Sequence, residues 1–446
     1  MSNLFYQSRL ERPTLDRAEG LYLWDKSGKC YLDGSSGAMV SNIGHSDPRV
    51  LEAMRRQMDK STFGYRLHFA SDVAEELATR TAALAPEGLN KVFFVSGGSE
   101  AVESTLKLAR QYALARGEGQ RWKVISRFPS YHGSTLGAAT VTGMALFSAP
   151  FAPMMVQMPK IPAPRAYLDG LDPNDPATGR HYADMLEEAI LREGAETVLA
   201  FIVEPVGGAS TGALVPPPGY MARIREICDQ YGVLLIHDEV MTGGGRTGKF
   251  FGGEHWEGKP DLISISKGFG GGYVPLGAMI ARDDIVEAVL DHGGFQHGFT
   301  YAGNPLACAA GNAVLDVIEE DGLVANAAAQ GEVLKARLEA LMQRFDFIGD
   351  VRGKGLLTAF ELVSDRETLA PLPRDLNAYT RLVDIAYDMG LIIYSRRTRG
   401  GYVGDHFLVC PPLIVGEDGI DEIMTKLTAA LEAFAAEAGP RLREAG

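Results

Sequence analysis

Short apolar runs alternate with amphipathic stretches through the middle of the chain. The runs that predict buried strands lie at 92–95, 122–126, 197–203, 232–237, 262–266 and 276–280. The stretches between them that predict helices lie at 98–116, 182–193 and 219–230. A run that is apolar at every position fits a strand covered on both faces, and alternation with helices favours parallel strands. We therefore predict an α/β fold with a mostly parallel central sheet and helices on both faces.

The two ends of the chain follow a different pattern. At the N-terminal end, residues 21–34 predict a hairpin, and residues 48–60 and 71–85 predict helices. After residue 305 the pattern predicts helices to 320 and over 323–345, short strands near 355–362, 391–394 and 406–410, and a last helix from Asp421. We predict a large domain over residues 59–320 and a smaller α+β domain built from residues 1–58 and 321–446. Residues 144–180, rich in proline, predict an irregular excursion from the large domain.

Composition narrows the function. The 446 residues are too many for one simple core, and the net charge of -14 argues against a nucleic-acid-binding face. The four cysteines are scattered, with neither metal-ligand spacing nor a disulfide pattern. The sequence shows neither a signal peptide nor a membrane span. We expect a cytoplasmic enzyme with small-molecule substrates, no metal, and no nucleic-acid or membrane partner.

Lys267 ends the apolar run 262–266 and is followed by a glycine-rich stretch. In open α/β sheets, ligands bind at the carboxyl ends of the strands. A lysine buried there loses its proton more readily and becomes a nucleophile toward carbonyl groups. Taken alone, the pattern also fits a surface lysine that caps a strand.

Two carboxylates follow neighbouring apolar runs. Glu204 comes after 197–203, and Asp238 comes after 232–237. Burying a carboxylate costs free energy unless it meets a cation or a strong donor. Glu204 could pair with an arginine or hold a ring substituent. Asp238 could bind a protonated pyridine nitrogen, or cap the following turn.

Further candidates follow other strands. Gly98 and Ser99 lie between a predicted strand and a helix, where free N–H groups and a hydroxyl can bind phosphate; a plain capped helix start fits as well. Tyr131 and His132 follow the run 122–126, where an aromatic ring can stack on a flat ligand or simply pack in the core. Val240 offers an aliphatic face, and Thr300 offers a hydroxyl in a glycine-broken loop.

These residues together form the set that pyridoxal 5′-phosphate (PLP) requires: an amine, a carboxylate, ring contacts and a phosphate cradle. A nucleotide-binding protein is the alternative from another class, because residues 243–249 (GGGRTGK) nearly form a P-loop. Phe250, however, stands where that loop needs Ser or Thr. A scaffold with a decayed site is disfavoured, because every cofactor position holds the expected residue type.

The motifs SGGSEAVES, YHG, EPV, DEV and SKG, in this order, resemble the class III aminotransferases of fold type I, the ω-amino-acid and amine transaminases. The resemblance runs from Gly20 through Pro412. It implies that Lys267 forms the internal aldimine and moves the substrate proton, and that Asp238 pairs with the pyridinium. The remaining contacts that it implies are Tyr131 and Val240 on the ring, Gly98 and Ser99 on the phosphate, His132 and Glu204 nearby, and Thr300 on the partner subunit's cofactor. An obligate homodimer with shared active sites follows, alone or as half of a tetramer.

The resemblance also implies a ping-pong reaction, in which an amine or ω-amino acid donates its amino group and a keto acid, pyruvate first among candidates, accepts it. Arg399 is the predicted carboxylate-binding residue, with Met39 and Tyr65 at the substrate wall. Relatives specialised for 4-aminobutyrate carry the arginine where this chain has Leu408, which argues against that substrate. A PLP-dependent racemase or epimerase is the alternative within the same cofactor group.

Overall fold

The computed structural model describes residues 3–444, which form three β-sheets and the helices that cover them. The strands are β1 (Leu15–Glu19), β2 (Tyr22–Asp25), β3 (Cys30–Asp33), β4 (Leu89–Val95), β5 (Lys123–Phe128), β6 (Lys160–Pro162), β7 (Val198–Val203), β8 (Leu234–Asp238), β9 (Leu262–Ile265), β10 (Gly277–Arg282), β11 (Ile348–Lys354), β12 (Leu357–Leu362), β13 (Leu391–Ile392), β14 (Tyr394–Arg399) and β15 (Val403–Val409). The helices are α1 (Ser36–Met39), α2 (Pro48–Lys60), α3 (Asp72–Leu84), α4 (Gly98–Ala115), α5 (Leu136–Val141), α6 (Ala145–Ser148), α7 (Pro176–Glu193), α8 (Tyr220–Tyr231), α9 (Asp283–Asp291), α10 (Pro305–Glu320), α11 (Leu323–Arg344), α12 (Ala378–Asp388) and α13 (Glu417–Ala438).

The central sheet has seven strands in the order β4-β10-β9-β8-β7-β5-β6. The pairs β5–β6, β5–β7, β7–β8 and β8–β9 are parallel, and β10 is antiparallel to both of its neighbours. Successive residues of β7 point into different cores: Phe201 packs with α7 and α8, whereas Ile202 packs with α4 and α9. Helices therefore cover both faces, and the predicted α/β architecture is confirmed.

The two ends of the chain meet in space. Strand β13 pairs in parallel with β3, which joins a C-terminal strand to the N-terminal sheet. This N-terminal sheet has four strands in the order β1-β2-β3-β13, and the other four-stranded sheet has the order β11-β12-β15-β14. Leu32, from the N-terminal part, and Phe434, from α13, belong to the same apolar core. The domain boundaries after residues 58 and 320 stay a prediction.

The structure differs from the sequence prediction in several elements. Helices α9 and α12 and strand β11 were not predicted. The region 144–180 contains β6, and helix α7 begins at Pro176 because the side chain of Asp175 accepts a hydrogen bond from the N–H of Ala177 at 2.8 Å. The glycine-flanked stretch around Arg396 is strand β14 of a hairpin, because Gly400 and Gly401, at φ +67° and +89°, make its turn.

Candidate active site

The carboxyl ends of β5, β7, β8 and β9 lie beside a cavity of about 620 Å³. Parallel strands bring their ends to one edge of the sheet, so residues far apart in sequence meet there. The predicted residues among the described ones that line the cavity are Met39, Gly98, Ser99, Tyr131, His132, Glu204, Asp238, Val240 and Lys267. Most of the predicted site is thus brought together in one place.

Lys267 lies two residues after the end of β9 and lines the cavity. Its backbone has φ +50°, a left-handed conformation that is strained for a residue with a side chain. Within residues 3–444, no hydrogen bond or ion pair engages its amine. Burial lowers the pKa of Lys267, although Asp238 and Glu204 oppose the shift. The amine is therefore closer to its neutral, nucleophilic form than an exposed lysine would be.

Asp238 ends β8 and is 5% exposed. Its Oδ2 lies 2.7 Å from Nδ1 of His132, and its Oδ1 accepts a hydrogen bond from the N–H of Val240 at 3.0 Å. Nε2 of His132 is buried without a partner among the described residues. His132 thus fixes one carboxylate oxygen, and Asp238 offers the cavity a positioned negative charge.

Glu204 follows β7 and has one satisfied and one free carboxylate oxygen. Oε1 accepts a hydrogen bond from the N–H of Gly208 at 3.0 Å, whereas the buried Oε2 has no hydrogen-bond partner in the described chain. Burial raises the pKa of Glu204. A buried carboxylate oxygen without a hydrogen-bond partner, in a residue that lines the cavity, is consistent with a ligand group that donates to it.

Arg127, near the end of β5, lies behind Glu204 and was not predicted. It is fully buried, donates a hydrogen bond from Nη2 to the carbonyl of Glu204 at 2.7 Å, and lies 3.7 Å from Oε2 of that residue. An arginine directly after the apolar run 122–126 was the available signal, because a buried cation requires a partner. The cation helps to keep a carboxylate in this apolar surrounding.

At the start of α4, two glycines occupy positions where a side chain would collide with its neighbours. A Cβ added at Gly98 would lie 2.7 Å from Cγ1 of Val240, and one added at Gly133 would lie 2.7 Å from Oγ of Ser99. Oγ of Ser99 also accepts a hydrogen bond from the N–H of Ser134 at 3.1 Å. The free N–H groups of the helix start and the nearby hydroxyls fit a phosphate group.

Arg399, which was predicted to bind a substrate carboxylate, does not line the cavity in this structure. Its guanidinium donates to the carbonyl of Leu369 at 2.6 Å, and Arg396 lines the cavity instead. Successive residues of a strand point to opposite faces, so Arg396 and Arg399 cannot share a side in β14. The strands predicted near 391–394 and 406–410 left residues 395–405 without a strand, so this alternation was not predicted.

Two other predicted residues lie outside the cavity wall in this single chain. Tyr65 packs edge-on against His68, with ring centroids 5.3 Å apart. Thr300 is exposed in the segment between α9 and α10. The cavity also includes residues that were not predicted, namely Gln7, Met144, Phe147, Phe151, Ser210 and Tyr394. Gln7, Met144 and Ser210 lie outside helices and strands, where the hydrophobic pattern gave no signal.

The remaining motif with a nucleotide-binding interpretation does not form a phosphate loop. Residues 243–249 run in turns between β8 and a short 3₁₀ helix, Gly252–His255. Arg246 within them is fully buried and makes hydrogen bonds to other parts of the protein. This stretch therefore has a structural role.

The residues present fit PLP. The unpaired amine of Lys267 can bond to an aldehyde, and the carboxylate of Asp238 can bind a ring N–H. Oε2 of Glu204, a residue of the same cavity, has no hydrogen-bond partner among the described residues, and any side chain would fill the glycine cradle. These are the four functions that the cofactor needs from a protein.

Comparisons with known proteins identify the family. The family model of class III aminotransferases matches residues 6–431. A probable aminotransferase of Mycobacterium tuberculosis is 40% identical over 95% of this chain and 90% of its own length. A putrescine–pyruvate aminotransferase of Pseudomonas aeruginosa is 36% identical over 95% of this chain and 91% of its own length.

Solved structures agree with the sequence comparisons. The ω-transaminase of Pseudomonas jessenii, solved in complex with PMP, superposes with a TM-score of 0.92 at 32% identity and covers 98% of each chain. Class III aminotransferases depend on PLP, which the site fits. The chain therefore belongs to the class III aminotransferases and is a PLP-dependent aminotransferase.

Proposed function

We propose that this enzyme moves an amino group from an amine or ω-amino acid to a keto acid, with pyruvate as the acceptor, in a ping-pong reaction. One observation carries the proposal: the unpaired amine of Lys267 opens into the same cavity as the fixed carboxylate of Asp238. A relative that is named a putrescine–pyruvate aminotransferase supports pyruvate as the acceptor.

Different residues of the cavity have different roles in the proposed reaction. When bound, PLP supplies an aldehyde and an electron-withdrawing ring. Asp238, held by His132, keeps the ring nitrogen protonated. Lys267 takes the proton from the substrate carbon next to nitrogen, since its lowered pKa leaves the amine able to accept it. Tyr131 and Val240, which both line the cavity, hold the ring between them.

Arg396 is the residue that we propose binds the carboxylate of the keto acid. Its guanidinium lies 4.5 Å from the ring centre of Tyr394, and among residues 3–444 its only hydrogen-bond partner is the carbonyl of Ser395 at 3.0 Å. Donors of its planar fork remain for a substrate carboxylate, which arginine binds with two parallel hydrogen bonds. Arg397 differs, because it lies 3.6 Å from a carboxylate oxygen of Asp405.

We further propose a homodimer in which Thr300 contacts the cofactor of the partner subunit. Tyr301, next to Thr300, is 64% exposed, and Leu67, four residues after Phe63, is 74% exposed. Phe63 packs on Tyr301, with ring centroids 6.0 Å apart. Such a patch is typical of an interface rather than of a free surface. Sedimentation should therefore give twice the chain mass of 48.1 kDa, and the Leu67→Glu variant should sediment with the mass of a single chain.

The location of the enzyme in the cell is also a proposal. All four cysteines are free, which suits a reducing compartment, and we propose the cytoplasm. None of the helices within residues 3–444 is both long enough and apolar enough to cross a membrane.

The test is a screen of amine and ω-amino-acid donors with pyruvate, following alanine. We expect alanine to form with at least one donor, and initial rates at several fixed pyruvate concentrations to give parallel double-reciprocal lines. The Lys267→Ala variant should form no alanine. If the purified holoenzyme racemises an amino acid and yields no alanine, the proposal is overturned.

A further inference from the structure

The strained backbone of Lys267 is held by a side chain from the N-terminal part of the chain. A left-handed φ in a residue with a side chain is strained and persists only where the surroundings impose it. The next residue, Gly268, leaves no space for a side chain, because an ideal Cβ there would lie 2.1 Å from Nδ2 of Asn42. The carboxamide of Asn42 thus lies directly against the peptide that follows Lys267.

Asn42 is itself fixed at both ends of its carboxamide. It is 1% exposed. Nδ2 donates to the carbonyl of Gly244 at 2.8 Å, and Oδ1 accepts a hydrogen bond from Nη2 of Arg246 at 2.7 Å. With both groups satisfied, the plane of the carboxamide cannot rotate away from Gly268 without losing a buried hydrogen bond.

Arg246 connects this contact to three other segments. Its Nη2 also donates to Oγ of Ser36 at 2.9 Å. Its Nη1 donates to the carbonyl of Pro411 at 2.5 Å and to that of Leu356 at 3.3 Å. The planar guanidinium presents these donors in a fixed geometry, which a lysine amine cannot reproduce.

The segment between Ser36 and Asn42 forms a wall of the active-site cavity. Ala38 and Met39 line it, and Ser36 and Met39 have φ of +50° and +56°. One guanidinium therefore holds both ends of a strained wall segment, and one of those ends contacts the peptide beside Lys267.

We propose that Arg246 and Asn42 are positioning residues, which lock the substrate wall at Met39 and the backbone of Lys267 into one rigid unit. This rigid unit sets the position of the lysine amine relative to a substrate that contacts the wall at Met39. Neither residue lines the cavity, so both act through Lys267 and Met39. The inference rests on the proposed role of Lys267 in proton transfer.

The contact itself is tested without any activity measurement. Gly268→Ala, Asn42→Ala and the double variant are compared by thermal unfolding of the holoenzyme. Gly268→Ala should lower the midpoint strongly in the wild-type background and much less in the Asn42→Ala background, because the clash is then relieved. Equal losses in the two backgrounds would disprove the contact. This result does not depend on whether the proposed reaction is right.

The positioning role is tested with Arg246→Lys and Asn42→Ala. Arg121→Lys is the matched control, because Arg121 likewise connects separate segments: it donates to the carbonyls of Ala195, Val198 and Tyr231, at 3.1, 2.7 and 3.0 Å, away from the cavity. We measure kcat and KM, the primary deuterium isotope effect with an α-deuterated donor, and the rate at which PLP added to apoenzyme attaches covalently, read from its absorbance.

For both test variants we expect kcat to fall about 10-fold or more, because small displacements of a reacting group are costly. The isotope effect should rise, covalent attachment of PLP should slow, and the amount bound at saturation should stay unchanged. Arg121→Lys should alter none of these. If Arg246→Lys does not fold, Asn42→Ala decides by the same readouts. Wild-type kcat with an unchanged isotope effect and attachment rate would overturn the proposal.

Discussion

Replacing Asp238 with asparagine should separate cofactor chemistry from protein stability. Asparagine has nearly the same shape and removes only the charge. Its amide oxygen can take the place of Oδ1, which accepts a hydrogen bond from the N–H of Val240 at 3.0 Å. Its NH₂ group would then face Nδ1 of His132, at the 2.7 Å position of Oδ2. His132 can accept that hydrogen bond in its other tautomer, because its Nε2 has no partner among the described residues and is free to carry the proton.

The apoenzyme of Asp238→Asn should therefore keep most of its stability, whereas the cofactor loses an anion for its ring nitrogen. A hydrogen bond to a charged group contributes about 1.5–3 kcal/mol. At about 1.4 kcal/mol per factor of ten, the dissociation constant for PLP should rise roughly 10- to 150-fold. Proton abstraction should slow as well, since a neutral ring withdraws electrons less strongly.

The assay is a titration of apoenzyme with PLP, together with urea unfolding of the apoenzyme. Asp261→Asn is the control, because Asp261 is also 5% exposed but pairs with Arg225 at 3.0 Å, away from the cavity. The control should lose stability and bind PLP normally. An unchanged PLP affinity in Asp238→Asn would refute the assignment of the ring contact, and a large loss of apoenzyme stability would refute the tautomer argument.

Three further predictions concern neighbouring groups. Glu239→Gln should destabilise the fold by about 1–3 kcal/mol in urea unfolding. Both carboxylate oxygens accept hydrogen bonds from backbone N–H groups, at 2.7 and 2.8 Å, and the NH₂ group of glutamine would face one of these N–H groups. Unchanged stability would contradict this geometry. Arg396→Ala should raise KM for pyruvate about 10-fold or more with little change in kcat, while Arg399→Ala should not, and equal effects would remove the assignment of the carboxylate contact. The rate at which PLP attaches covalently to Lys267 in the apoenzyme should rise with pH and reach its plateau below the ordinary lysine pKa, because the lowered pKa makes the amine neutral at lower pH. A rate that reaches its plateau only above pH 10.5 would disprove the shift.

The sequence predicted the site well where a functional residue directly follows a buried strand. Asp238, Glu204 and Lys267 each come after an apolar run, and parallel pairing brings such ends to one edge. The pattern did not show on which side Arg399 lies, because residues 395–405 were left without a strand between the strands predicted near 391–394 and 406–410. It also missed Arg127, whose importance depends on its distance to Glu204 rather than on a motif.

The hydrophobic pattern and the motif order by themselves determined the α/β class, the cofactor and most of the residues around it. This was feasible because burial and strand-end chemistry are local properties, and each leaves a mark in a few consecutive residues. Only the tertiary structure decided which arginine reaches the cavity, which charge lies behind Glu204, and that Asn42 contacts the peptide after Lys267. Those facts depend on the packing of segments about 75 to 225 residues apart, and such distances have no counterpart in local spacing.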